Sequence, residues 1–170
     1  MVLNLLILPV VIFQNFDIGI RVGAVFPLTK IARTVHSGTI LGAQAGYSLG
    51  SNRLELDYSH FNLPGKNSMP YELTFNELAL IYSYSLLARP TWGIALGAGP
   101  GLSFITRAFS GGKETGRVAT THITLSIYQQ EKKSRLSATI DNIIFIEAPR
   151  SRSPIFTYFP ALTAGVAYAF

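Results

Sequence analysis

Apolar and polar side chains alternate along most of the chain. The segment LELDYS at 54–59, for example, has apolar or aromatic residues at its even positions and Glu, Asp and Ser at its odd positions. Because successive side chains of a strand point to opposite faces, this period of two predicts β-strands. Eight such stretches follow one another, at about residues 16–27, 39–49, 53–62, 73–87, 92–106, 119–130, 135–147 and 157–170.

The connections between these stretches alternate in length. Three are short, with the sequences GSN, ARPT and QEKKS, and the others are longer, with the sequences PLTKIARTVHSG, PGKNSMPYE, RAFSGGKETGRV and APRSRSPIF. An even number of strands, with short turns at one end and long loops at the other, is typical of membrane barrels whose chain ends lie on the periplasmic side. We therefore expect an all-β protein, an eight-stranded antiparallel up-and-down transmembrane β-barrel over residues 16–170.

The composition agrees with a barrel in lipid. The chain of 170 residues is 48% hydrophobic and only 14% charged, with a mean hydropathy of +0.31, yet it has no apolar run of the roughly 20 residues that a membrane-spanning helix needs. It contains no cysteine, which excludes disulfides, thiolate metal sites and cysteine nucleophiles. We find no cluster of metal ligands and no cofactor motif, so neither a metal nor a cofactor is expected.

The first 15 residues differ from the rest. The stretch MVLNLLILPVVIF has an apolar core of the length found in signal peptides, but it lacks a basic start and an A-x-A-like cleavage site. It is interpreted as a signal-peptide-like segment, with an apolar lead-in retained in the mature protein as the alternative.

The glycine-rich stretch WGIALGAGPGLSF at 92–104 raises the question of a phosphate-binding loop. It matches neither G-x-G-x-x-G nor the P-loop pattern, because no Lys follows its glycines. Its strict alternation instead predicts a strand with Gly and Ala on the inward face, which leaves room for larger inward side chains of the neighbouring strands. Pro100 cannot donate a ladder hydrogen bond, so we expect a bulge there.

Charged residues fall on the inward faces of several predicted strands. Arg21 is expected to meet Asp57, Glu77 and Asp141 in the lumen, because buried charges are tolerated mainly when they are paired. This lumen ion cluster is interpreted as a structural plug that ties strands together. A proton or ion path and a binding site at the mouth of the lumen are the alternatives.

Aromatic residues near the strand ends are expected to form two girdles at the membrane interfaces. These residues are Phe26, Tyr47, Phe75, Tyr84, Trp92, Phe104, Phe145, Tyr158 and Tyr168.

The stretch PALTAGVAYAF at 160–170 carries the most specific signal. Leu162, Val166, Tyr168 and Phe170 share one face of the predicted strand, and this pattern resembles the C-terminal strand of bacterial outer-membrane proteins. The resemblance implies that Tyr168 and Phe170 form a signal read by the barrel-insertion machinery. In strand number and size the chain is similar to the small barrels of the OmpA and OmpX type, which implies a place in the outer membrane of a Gram-negative bacterium.

The long loops carry most of the basic residues, and the formal net charge is +5. In an outer leaflet these loops would face lipopolysaccharide phosphates, which Arg and Lys bind by charge-assisted hydrogen bonds. The expected contacts are Arg107, Arg117, Arg150 and Arg152, with plain solvation of the loops as the alternative. Nucleic acid is not an expected partner, because the basic residues are scattered and no stacking aromatics accompany them. No feature specifies an oligomeric state.

Some small barrels of this class are lipid A deacylases or acyltransferases, and the deacylase pattern is His-x-Ser with a later Glu. Here the residue two after His122 is Thr124, and Ser126 and Glu147 lie further along. His122 is therefore expected to be structural, and the protein is expected to be a non-enzymatic structural or surface-interaction barrel. A lipid A hydrolase is the second hypothesis and a narrow ion-conducting barrel the third.

Overall fold

The protein is a closed antiparallel barrel in which each strand pairs with its neighbours in sequence and the first pairs with the last. The computed structural model describes residues 15–66, 71–147 and 155–170. The strands are β1 (Phe16–Val25), β2 (Gly38–Leu49), β3 (Asn52–Pro64), β4 (Glu72–Ala88), β5 (Trp92–Phe109), β6 (Gly112–Glu131), β7 (Ser134–Glu147) and β8 (Ile155–Ala169). The predicted eight-stranded up-and-down barrel is confirmed.

Outside the strands, a short 3-10 helix (Thr29–Arg33) follows β1. No helix among the described residues has the length and apolar character needed to cross a membrane. Of the signal-peptide-like segment at 1–15, all but Asn15 lies outside the described residues.

The outer wall of the barrel is apolar. Ile20, Leu56 and Leu80 are 65%, 48% and 45% exposed on the outward face, while Arg21, Asp57 and their inward neighbours are buried. Closure of the barrel leaves no strand edge unpaired. The outward apolar face places hydrocarbon side chains where lipid chains can solvate them.

The segment RAFSGGKETGRV is not a loop. β5 and β6 stay paired as far as Phe109 and Gly112, so the two strands extend well past the predicted limits and are joined by residues 110–111. Gly112 has a φ of 147°, which favours glycine. The prediction failed because a charged, glycine-rich stretch reads as a connection, whereas ladder hydrogen bonds hold it as an extended hairpin.

The inward glycines of β5 make room for neighbouring side chains, as expected. A Cβ at Gly97 would lie 2.5 Å from Thr124 Oγ1, and one at Gly93 would lie 2.5 Å from the Tyr128 ring. The bulge expected at Pro100 is wrong, because the register between β4 and β5 is the same on both sides of it. The register shifts instead between Ser85 and Leu87.

The outer half of the lumen is an apolar core. Four phenylalanines pack there, with ring centroids 4.5 Å apart for Phe61 and Phe75 and 4.8 Å apart for Phe145 and Phe159. Phe75 and Phe145 were expected in the interfacial girdles, and both are only 2% exposed. The prediction is wrong for these two because each lies an even number of residues from an inward acid of its own strand, Glu77 in β4 and Asp141 in β7, and so points inward as well. We call the four rings the phenylalanine layer.

The connections after β1 and β3 lie over this layer. Val35 is fully buried in the apolar core and forms an isolated bridge with Gly65, and the Lys66 ammonium donates to the Ala32 carbonyl at 2.6 Å. The outer mouth of the lumen is therefore covered by chain that packs against the phenylalanine layer.

Candidate functional sites in the lumen and on the outer wall

Below the phenylalanine layer lies a cluster of buried charges. Arg21 from β1 forms an ion pair with Asp57 from β3, and its Nη1 lies 3.8 Å from Asp141 Oδ2 of β7. All three side chains are at most 5% exposed. Each reaches the lumen because it occupies an inward position of its strand, and together they connect three strands that are not sequential neighbours.

His122 joins Asp141 to Glu77. Its Nδ1 lies 3.0 Å from Asp141 Oδ2, and its Nε2 lies 3.2 Å from Glu77 Oε1. A neutral imidazole has one donor and one acceptor nitrogen, whereas an ionised carboxylate only accepts. The line Glu77–His122–Asp141 therefore needs one proton more than a neutral imidazole supplies.

The structure brings Arg21, Asp57, Glu77 and Asp141 into one layer of the lumen together with His122. His122 was expected to be structural, but its connection with the acids was not predicted. The register between β6 and β7 shows why His122 reaches Asp141. Thr124 lies opposite Asp141, and His122 is the next inward residue of β6.

A second charged group lies nearer the end of the barrel at which β1 begins and β8 ends. Arg53 donates to Asp17 and to Glu55, with Nη2 at 2.8 Å from Asp17 Oδ1 and Nε at 3.0 Å from Glu55 Oε2. This end of the lumen opens into a cavity of about 310 Å³, which we call the vestibule. Arg53 and Arg135 both line it.

On the outside of the barrel, one part of the wall changes from apolar to polar. The change falls on the same row of paired residues across β3, β4, β5 and β6. The last apolar row contains Tyr58, Leu78, Leu102 and Ala119. The first row beyond it contains His60, Asn76, Phe104 and Arg117. The two rows after that contain Asn62, Thr74, Thr106 and Thr115, and then Pro64, Glu72, Ala108 and Lys113. We call these last three rows the polar wall.

Side chains of the polar wall bind one another. Asn76 Oδ1 accepts a hydrogen bond from the Tyr58 hydroxyl at 3.0 Å and lies 2.9 Å from His60 Nδ1. Because an amide oxygen only accepts, Nδ1 must be the protonated nitrogen of His60, which leaves Nε2 as an acceptor. Asn62 donates to Glu72 beside them.

The four predicted lipopolysaccharide contacts have different surroundings. Arg117 lies on the outward face of β6 opposite Phe104, and it is exposed. Arg107 is also exposed, but it lies on the lumen-side face of the hairpin, opposite Glu114. Arg150 and Arg152 lie outside the described residues. Both Arg107 and Arg117 belong to the β5–β6 ladder, which corrects the expectation that these arginines lie in loops outside it.

The C-terminal strand ends in two outward aromatic side chains. Tyr168 and Phe170 are 50% and 52% exposed, and their ring centroids are 5.8 Å apart. The Phe170 amide donates to the Phe16 carbonyl at 3.1 Å, which extends the seam between β8 and β1 by one residue.

Solved structures of small barrels match this architecture over nearly its whole length. Neisserial surface protein A superposes with a TM-score of 0.71 at 16% identity, covering 92% of this chain and 97% of that chain. The chain has the fold of the small eight-stranded outer-membrane barrels. The N-terminal β-barrel domain of Pseudomonas aeruginosa OprF gives a TM-score of 0.62 at 16% identity, with coverage of 92% and 98%.

Ail, the attachment invasion locus protein of Yersinia pestis, gives a TM-score of 0.57 at 8% identity, covering 91% of this chain and 98% of that chain. It has also been solved in complex with the heparin analogue sucrose octasulfate. No family model and no curated protein matches the sequence. The resemblance to outer-membrane barrels is therefore confirmed at the level of fold.

Among the described residues, His122 forms its hydrogen bonds with carboxylates rather than with a serine hydroxyl. Both ring nitrogens face carboxylates, and Ser126 Oγ lies 2.8 Å from Thr139 Oγ1. No group of three or more His, Cys, Asp or Glu side chains in the described part of the chain is arranged to hold a metal ion.

Proposed function

We propose that this protein is a non-enzymatic surface-interaction barrel of the outer membrane whose polar wall contacts the head groups of lipopolysaccharide. The observation that carries the proposal is the row His60, Asn76, Phe104 and Arg117, which lies directly beyond the last apolar row on four adjacent strands. A head group that rests on this wall would have its acyl chains against the apolar rows.

The chemistry of the polar wall suits a phosphorylated sugar. Arg117 and Lys113 are exposed outward cations, and such cations form charge-assisted hydrogen bonds with phosphate. His60 Nε2 can accept from a sugar hydroxyl, and the threonine row supplies hydroxyl groups that both donate and accept. A barrel of the same fold, Ail, has been solved in complex with the heparin analogue sucrose octasulfate, which supports a polyanionic sugar as the class of ligand.

The remaining arginines enter the proposal differently. Arg107 faces the lumen side of the hairpin, so it would reach a head group only at the hairpin tip. Arg150 and Arg152 stay predicted contacts.

The test is binding of lipopolysaccharide to the refolded barrel in zwitterionic bicelles. Changing Lys113 and Arg117 together to Glu should weaken binding by at least about tenfold, since one charge-assisted hydrogen bond contributes roughly 1.5 kcal/mol. Changing Arg89 and Lys132 together to Glu, in two turns at the opposite end of the barrel, makes the same change of charge and should leave affinity unchanged. Raised salt and dephosphorylated lipopolysaccharide should both weaken binding by the wild-type protein.

Equal affinities for the wild type and the Lys113/Arg117 variant, unaffected by salt, would contradict the proposal. Mass spectrometry of the lipid after incubation tests the second hypothesis. An unchanged lipid A mass is expected, and loss of an acyl chain would make the protein a hydrolase.

We also propose that the C-terminal aromatic pair is read by the insertion machinery. The two rings are exposed at the end of the closing strand, which leaves them accessible to a partner before the barrel closes. Phe170→Ala should slow assembly in cells more than refolding in detergent, where no machinery is present; equal effects would show a purely structural role.

A further inference from the structure

The vestibule is lined by a cation, Arg135, that no carboxylate of the described residues contacts through an ion pair or a hydrogen bond. The cavity lies at the barrel end formed by the start of β1 and the end of β8, and it is lined largely by polar and charged side chains. Its volume of about 310 Å³ is roughly that of ten water molecules. A small ion and part of its hydration shell fit in this space.

Two carboxylates in or beside the vestibule are already bound. Asp17 accepts from both terminal nitrogens of Arg53, and Glu55 accepts from Nε and Nη2 of the same guanidinium. Arg53 is therefore committed to these two acids.

Arg135 is placed differently. Its guanidinium carbon lies 3.9 Å from the centroid of the Tyr128 ring, and the Tyr128 hydroxyl lies 3.1 Å from Ser85 Oγ, which fixes the ring. Among the described residues, no carboxylate forms an ion pair or a hydrogen bond with Arg135. Arg135 also lines the smaller cavity next to the vestibule, so it stands at the junction of the two cavities.

We propose that Arg135, stacked on Tyr128, forms an oxyanion-binding site in the vestibule. Stacking occupies the face of the guanidinium and leaves its edge, which carries the N–H groups, free to donate. This edge matches two oxygens of a phosphate or a carboxylate in a bidentate contact. Lys133 also lines the rim of this cavity. The site lies at the opposite end of the barrel from the polar wall and does not depend on it.

The experiment is NMR of the arginine Nε–H groups in the full-length refolded protein, titrated with inorganic phosphate, with acetate and with chloride at constant ionic strength. Arg135→Met identifies the Arg135 signal by its disappearance. That signal should shift with saturation on adding an oxyanion and should not shift with chloride. Saturation by phosphate alone identifies a phosphate site, saturation by acetate alone a carboxylate site, and saturation by both a general oxyanion site.

Variants separate the site from ordinary charge screening. Tyr128→Phe keeps the ring and should keep affinity within about twofold, whereas Tyr128→Leu removes the platform and should weaken binding at least fivefold. Arg89→Gln, in the turn between β4 and β5, should bind like the wild type. A linear, unsaturated shift of the Arg135 signal in the wild type, or an equal shift of every exposed arginine, would overturn the proposal.

Discussion

At the scale of single residues, the short turns show how backbone conformation selects the amino acid. Gly50 has a φ of 59° in the turn between β2 and β3, and a Cβ there would meet no atom within 4 Å. Lys132, in the turn between β6 and β7, has a φ of 52° despite its side chain. The left-handed region is sterically unfavourable for a residue with a Cβ, so glycine is favoured at residue 50 by its φ rather than by space.

Gly50→Ala should lower the free energy of unfolding by about 1 kcal/mol. Gly116→Ala is the matched control, because a Cβ there also meets no atom within 4 Å but its φ is not in the left-handed region. Urea unfolding in detergent micelles measures both variants. Equal stability of the two would show that φ at residue 50 has no energetic consequence.

At the scale of elements, the seam between β1 and β8 closes the barrel, and two glycines of β1 lie close to the backbone of β8 there. A Cβ at Gly23 would lie 2.0 Å from the Leu162 carbonyl oxygen, and one at Gly19 would lie 2.6 Å from the Val166 carbonyl oxygen. Both contacts are with backbone, which cannot rotate away as a side chain can. The two glycines let the first and last strands approach closely enough to pair.

Gly23→Ala should therefore lower the free energy of unfolding by about 1–3 kcal/mol, the usual cost of overpacking. Gly165→Ala, at the same seam, should cost less, because its nearest neighbours would be 3.1 Å from the new Cβ. The fraction of unboiled protein that migrates as the folded form on a gel, together with urea unfolding, measures the difference. A larger loss for Gly165→Ala would contradict the seam argument.

At the scale of the whole molecule, the lumen is layered. The vestibule is polar and open, the buried charges lie in the middle, and the phenylalanine layer fills the outer half. Charged groups are costly in an apolar layer, so the four rings argue against a continuous ion path. The ionic layer connects the wall across the lumen, because Arg21, Asp57 and Asp141 come from β1, β3 and β7.

Arg21→Ala should destabilise the barrel by about 3–5 kcal/mol, because Asp57 would remain buried without its ion-pair partner and Asp141 would keep only His122. Ile20→Val on the lipid-facing side of the same strand should be nearly silent, since Ile20 is 65% exposed on the outer wall. Urea unfolding in micelles compares the two. A loss below about 0.5 kcal/mol for Arg21→Ala would mean that water already solvates these acids.

Much of the fold follows from local pattern, because a strand presents alternate side chains to alternate faces whatever surrounds it. That rule predicted the eight strands, the outward apolar face and the inward positions of Arg21, Asp57, Glu77 and Asp141. The same rule places Phe75 and Phe145 on the inward face, but their aromatic character suggested a membrane interface instead. For these two residues the alternation pattern alone predicts the correct direction, and the preference of aromatic residues for membrane interfaces predicts the wrong one.

What only the tertiary structure decided is the set of neighbours on each face. Glu77 and Asp141 meet at His122 because barrel closure places β4, β6 and β7 around one narrow lumen, a distance that no sequence spacing encodes. The long hairpin of β5 and β6, and with it the position of Arg117 beside Phe104, depends on hydrogen bonds between strands that continue through a charged, glycine-rich segment. The sequence by itself determined which way each side chain points; the register and closure of the ladder determined what it touches.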